Sequence, residues 1–188
     1  MNKVKFGLRN VHYAKMTITA SVISYSEPVA IPGAVNLSLS PSGDTEDFFA
    51  DDTAYFSDTA NQGYEGDLEI ALLPDSFLKD ILGQTVDANG AIFENADDKS
   101  SAFALGFEIQ GDESGRRVWL YNCTATRPNQ DAATTENSKT PTTDTLTIKA
   151  LPRLSDREVK VVLSKTTENA TEYEAFFDEV YEKVAQTG

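Results

Sequence analysis

The chain has 188 residues, enough for one domain that buries roughly 70% of the surface its unfolded form exposes, with no need of disulfide or metal staples. Thirty acidic residues against sixteen basic ones leave a formal charge of −14, with no cationic excess to displace phosphate counterions. Sequence-reading nucleic-acid binders and proteins that dock on anionic membranes are thereby disfavoured.

Residues 1–7 are charged and lack the apolar core of a signal peptide. The run from Met16 to Tyr25 is interleaved with Ser and Thr and is too short to cross a bilayer. A soluble protein made in the cytoplasm is expected. A strand is expected over 12–24, and Val35, Leu37 and Leu39 alternate with polar neighbours as in a half-buried strand. Residues 41–52 read as an acidic loop carrying the adjacent pair Phe48-Phe49. Either one Phe folds back onto the core or the loop docks on another subunit. Leu68, Ile70 and Leu72 alternate again. A short helix is expected over 75–82, with Asp75 as its cap, i,i+4 pairs Phe77/Ile81 and Leu78/Leu82, and Gly83 as its stop. Asp87-Ala88-Asn89-Gly90 signals a turn and 95–101 a solvent loop.

The second half continues in the same way. Phe103, Leu105, Phe107 and Ile109 form one apolar face, Asp112-Glu113-Ser114-Gly115 a turn, and Trp119, Tyr121, Cys123 and Ala125 another face. Residues 128–143 are rich in Thr, Asn, Asp and Pro and read as a solvent loop. Leu146, Ile148 and Ala150, then Val159, Val161 and Leu163, give two more strands. At the end, Thr171 and Glu174 have capping-box spacing, and Tyr173, Phe176, Phe177, Val180, Tyr181 and Val184 fall on one helical stripe suited to core or subunit packing. The expectation is a mainly β protein: an antiparallel β-sandwich or small barrel over 1–165, a short helix in its middle, and a C-terminal amphipathic helix over 166–188 packed on the same domain.

The sequence offers little to catalysis. His12 is the only histidine and lies beside a strand, where a structural role is expected. A single cysteine, Cys123, leaves no intrachain disulfide and no multi-cysteine metal site, and it reads as a small buried hydrophobe. No Gly-rich phosphate loop occurs. The acidic pairs Asp51-Asp52, Asp97-Asp98 and Asp112-Glu113 are adjacent, so in a strand their carboxylates would face opposite ways. The sequons at Asn36, Asn122 and Asn169 are taken as chance matches. No catalytic residue, metal or cofactor is expected.

Several segments, in consistent order over nearly the whole chain, resemble the major tail protein family of siphophages and prophages of Gram-positive bacteria. They are Gly7-Leu8-Arg9-Asn10-Val11-His12-Tyr13-Ala14, Ile31-Pro32-Gly33-Ala34-Val35, Phe49-Ala50-Asp51-Asp52 and Asn61-Gln62-Gly63-Tyr64-Glu65-Gly66-Asp67-Leu68-Glu69. Leu82-Gly83, Asp87-Ala88-Asn89-Gly90 and Leu120-Tyr121-Asn122-Cys123-Thr124-Ala125 continue them. The resemblance implies a tail-tube fold, six subunits joined in a ring, and rings stacked into a hollow tube of a long non-contractile tail. DNA would pass through without sequence-specific binding. It implies a long inter-ring loop near 41–62 and a second contact around residues 6–13. Candidate interface residues are Phe6, His12, Tyr13, Asp44, Glu46, Phe48, Phe49, Tyr55 and Phe56. Tape measure, tail terminator and distal tail proteins are the implied partners, and the virion tail, assembled in the host cytoplasm, the implied location. The inner tube of a contractile tail or secretion system, a β-sandwich binding module and an enzyme are the alternatives, in that order.

Overall fold

A computed structural model of the protein describes residues 7–50, 53–111, 115–129 and 142–184. The architecture is mainly β and antiparallel, as the alternation of apolar residues requires. The central sheet runs in the order β2 (Val22–Tyr25), β1 (Leu8–Thr19), β10 (Phe103–Ile109), β11 (Arg116–Ala125), β12 (Asp144–Leu151), β7 (Gly63–Ile70), β4 (Ala34–Ser42). Two strands sit off this path: β3 (Val29–Ala30) on β1, and β13 (Lys160–Ser164) on β11. The sheet curls, bringing β4 alongside β1 as well as β7. β5 (Thr45–Ala50) pairs with β6 (Thr53–Thr59), and β8 (Thr85–Val86) with β9 (Ile92–Phe93) across the Asp87 turn. There the Asp87 carboxylate accepts from the backbone N–H groups of Asn89 and Ala91 at 2.9 and 2.8 Å.

The curled sheet encloses the main core. Leu68, Ile70, Phe103, Leu105, Leu120, Leu146 and Ile148 are all buried there. Each such side chain contributes about 1.5–3 kcal/mol against exposure. Helix α1 (Asp75–Asp80) closes one end through Phe77, with Ile81 and Leu82 after it. Its cap is Pro74, not Asp75, with no side-chain cap bond. Asp75 instead starts the first turn, where a carboxylate still suits the helix dipole. Gly83 ends the turn with φ +77°, and a Cβ there would lie 2.6 Å from the Lys99 carbonyl oxygen.

Bulges and turns move several residues from the faces that strict alternation assigns them. The strand expected over 12–24 is a hairpin of β1 and β2, reversed at Ala20-Ser21, both with positive φ (48° and 67°). A register shift between Ala34 and Asn36 turns Val35 outward, 54% exposed, while Leu37 and Leu39 stay half-buried against the core. Leu72 lies beyond the end of β7 and is 74% exposed. A second shift places Leu120 opposite Leu105 but Cys123 opposite Phe103, so β11 has one extra residue there. The face read as Trp119, Tyr121, Cys123 and Ala125 is therefore split. Cys123 and Ala125 join the main core, and Trp119 and Tyr121 point the other way.

The opposite face of the sheet is a second core. Ala14, Ala104, Trp119 and Tyr121 are covered there by Phe176 and Val180 of the C-terminal segment. That segment is not the single helix its apolar stripe predicts. Helix α2 (Ala170–Glu174) gives way to a 3₁₀ turn (Ala175–Phe177), and regular structure then ends. The carbonyls that a longer helix would use are taken by side chains from the sheet. Trp119 Nε1 donates to the Phe176 carbonyl at 2.8 Å, Tyr121 Oη to that of Tyr181 at 2.7 Å, and Arg117 to that of Tyr173. Nor does the capping box form. Asn169 is the N-cap, its amide engaged with Thr166 N–H and the Ser164 carbonyl, and the Glu174 carboxylate accepts from Lys165.

Candidate assembly surfaces

The segment 41–52, expected to be a loop, is strand at 41–42 and 45–50, with Gly43 and Asp44 between the two strands, and it belongs to an arm. β4 runs into β5 and β6 into β7, with the ladder between them carried by Gln62 N–H to the Ser42 carbonyl (2.9 Å) and Ala60 N–H to the Asp44 carbonyl (3.0 Å). Beyond Gly43 and Gly63 the hairpin leaves the sheet, and β5 and β6 pair only with each other among the described residues. Glycine is required where it leaves. Gly63 has φ +104°, and a Cβ there would fall 1.9 Å from the Ala150 carbonyl oxygen. Six residues of β5 give the arm about 20 Å of reach at ~3.3 Å per residue.

The candidate interface residues separate into three groups. Asp44, exposed, stands at the base of the arm; Glu46, Phe48 and Phe49 lie on β5, and Tyr55 and Phe56 on β6, with Phe48 opposite Phe56 in the ladder. Phe6 lies outside the described residues, as do Asp51 and Asp52. The N-terminal pair is divided. His12 is partly buried and stacks on Phe177 at 4.8 Å, with Nδ1 2.9 Å from the Asn10 carbonyl oxygen. Tyr13 is withdrawn from the candidate contacts. It is 1% exposed in the main core, edge-on to Phe77 at 5.1 Å, and donates to Asp80 at 3.1 Å. Burial pushes its hydroxyl up to about 12.

Two charged clusters, neither signalled by the sequence pattern, fix the second face. Glu108 is fully buried on β10 and accepts from Arg9 Nε (2.9 Å), Asn10 Nδ2 (2.8 Å) and Arg117 Nε (3.2 Å). Asn10 reaches it because it occupies a left-handed conformation (φ 51°) at the β1 register shift, a conformation Asn tolerates better than most residues. Burial would raise the Glu108 carboxyl, but hydrogen bonds from Arg9 and Asn10 and the nearby guanidinium charges hold it below the ordinary range. Arg117 also lies 4.1 Å over the Tyr173 ring. At the other end Arg153, 4% exposed, donates to Asp156 (3.0 Å) and Glu182 (2.6 Å) and lies 4.3 Å over Tyr121. The two clusters pin the C-terminal segment near its start and near its end.

Among the described residues no three His, Cys, Asp or Glu side chains stand close enough to hold a metal ion, and no buried side-chain polar atom lacks a partner. Cys123 is buried and its thiol is pushed up by desolvation. No helix of the described residues is long and apolar enough to cross a membrane. Among the described residues the arrangement leaves an arm and open strand edges on β2, β4 and β13, on a chain of strongly acidic charge. No protein-family model matches the chain, and a search of curated proteins returns no significant match.

Proposed function

We propose that the protein is a non-enzymatic structural subunit of a phage tail tube, self-assembling into rings that stack around a lumen through which DNA passes. The observation that carries this reading is the arm. A β-hairpin rich in aromatic and acidic residues continues two core strands, yet its strands pair only with each other among the described residues. An aromatic-bearing hairpin whose strands pair with no other strand of its chain among the described residues suits contact with another subunit better than it suits a monomer in water. Open strand edges are a hazard in a monomer and a means of closure in a ring. The formal charge of −14 per chain supports a conduit that repels the phosphate backbone.

Negative-stain electron microscopy of the concentrated protein, with size-exclusion chromatography, tests the proposal. Rings or hollow tubes of uniform width are expected. A discrete closed dimer, or a monomer that no concentration drives into rings, would overturn it.

A further inference from the structure

We infer that Asn89, at the tip of the β8–β9 hairpin, is a site of spontaneous covalent modification, deamidating through a cyclic imide to aspartate and isoaspartate. Asn89 is the one asparagine in the chain followed by glycine. The reaction closes a five-membered ring from the Gly90 backbone nitrogen onto the Asn89 side-chain carbonyl carbon, and a following residue with a Cβ crowds that approach. The fold leaves the ring room. Residues 85–91 are all exposed, and a Cβ placed on Gly90 would meet no atom within 4 Å. Among the described residues no hydrogen bond holds the Asn89 side-chain amide, whereas the side chains of Asn10, Asn61, Asn95, Asn122 and Asn169 are each engaged. The turn resists in one respect: Gly90 N–H donates to the Asp87 carbonyl at 3.1 Å, a bond that must open before the nitrogen attacks. Little holds it shut. β8 and β9 form a ladder of two pairs, Thr85 with Phe93 and Val86 with Ile92, joined to no other strand among the described residues. A two-stranded hairpin is marginally stable, so local opening costs little.

The chemistry needs only water. Gly90 nitrogen gives its proton to hydroxide as it bonds to Asn89 Cγ, and the adduct expels the side-chain nitrogen as ammonia, protonated from solvent, leaving the imide. Water then opens the ring. Breaking the bond from nitrogen to Cγ gives aspartate; breaking the bond from nitrogen to the main-chain carbonyl carbon gives isoaspartate, whose backbone runs through the former side chain. One water is consumed and one ammonia released. Either product makes the chain one charge more negative than its formal −14. Isoaspartate also lengthens the main chain inside the turn, where the Asp87 carboxylate accepts from the N–H groups of Asn89 and Ala91, so the hairpin loses the spacing those two bonds require.

The test incubates the full chain at neutral and mildly alkaline pH, follows each asparagine by peptide mass, and counts isoaspartate by enzymatic methylation. Asn89 is expected to convert first, faster at the higher pH, and into both products. Its rate in the folded chain should lie within about tenfold of its rate in the urea-unfolded chain, as suits a segment whose opening costs little. Asn89→Gln, which would have to close a six-membered ring, should bring isoaspartate down to background while leaving circular dichroism and the thermal midpoint in place. Protection by the fold well beyond tenfold, or conversion of Asn36 or Asn122 ahead of Asn89, would overturn the assignment. Aspartate formed with no isoaspartate would overturn the imide route, and isoaspartate undiminished in Asn89→Gln would place the reaction elsewhere in the chain.

Discussion

Substituting Gln for Glu108 preserves the shape of the side chain and removes the charge on which Arg9 and Arg117 converge. Breaking a buried pair by deleting one partner costs about 3–5 kcal/mol, because the other charge stays desolvated. Two features reduce that here. The Arg9 side chain is 49% exposed and can turn to water, and Gln still offers one acceptor. Arg117, only 12% exposed, cannot escape. A loss of about 2–4 kcal/mol is therefore expected at neutral pH, read as a lower urea midpoint with an unchanged slope. The carboxyl is held below its ordinary value in the fold, so its contribution is complete above the unfolded value and is lost as pH falls through the folded one. The gap between wild type and Glu108→Gln should accordingly close as pH drops below about 4. Equal midpoints at neutral pH, or a gap that persists undiminished in acid, would refute the reasoning.

Trp119→Phe removes the Nε1 donor to the Phe176 carbonyl and leaves a void, and a loss of about 1–3 kcal/mol is expected by urea denaturation, with amide protection lost first in residues 166–184. Replacing Ala20-Ser21 by Asn-Gly supplies residues suited to two successive positive φ angles. It should raise stability by about 0.5–1 kcal/mol; an unchanged thermal midpoint would mean the hairpin turn carries no strain.

The strands of the main core were legible because their two faces differ: Leu146, Ile148 and Ala150 alternate with polar residues and are all buried. Where both faces are buried the pattern loses its meaning. On β11, Val118 and Leu120 face one core and Trp119 and Tyr121 the other, so a run of apolar residues gave the strand but not the bulge that divides it. Glu108 alternates with the apolar Phe107 and Ile109, yet it is buried with Arg9 and Asn10 of β1 and Arg117 of β11 converging on its carboxylate, and partners so distant in sequence leave no local trace. Of the C-terminal stripe read as core or subunit packing, Tyr173, Phe176 and Val180 are buried in the core, while Val184 is 74% exposed. The stripe overextended the helix, because Trp119 and Tyr121 compete for the carbonyls, and such distant donors leave no local trace. The arm was hidden for a different reason: Phe48-Phe49 break strict alternation, and the shift between Phe48 and Phe49 in its ladder absorbs the irregularity.

The covering of the second face has a consequence for how the chain is made. Residues 169–181 are translated after every strand of the sheet, so Trp119 and Tyr121 meet water, and Arg117 lacks its carbonyl partner at Tyr173, until synthesis has passed them. A nascent chain with all its strands present is therefore still unfinished, with a broad aromatic surface open to the nearest apolar neighbour. Order of synthesis thus imposes order of events: every strand of the sheet is made before the segment that seals its second face.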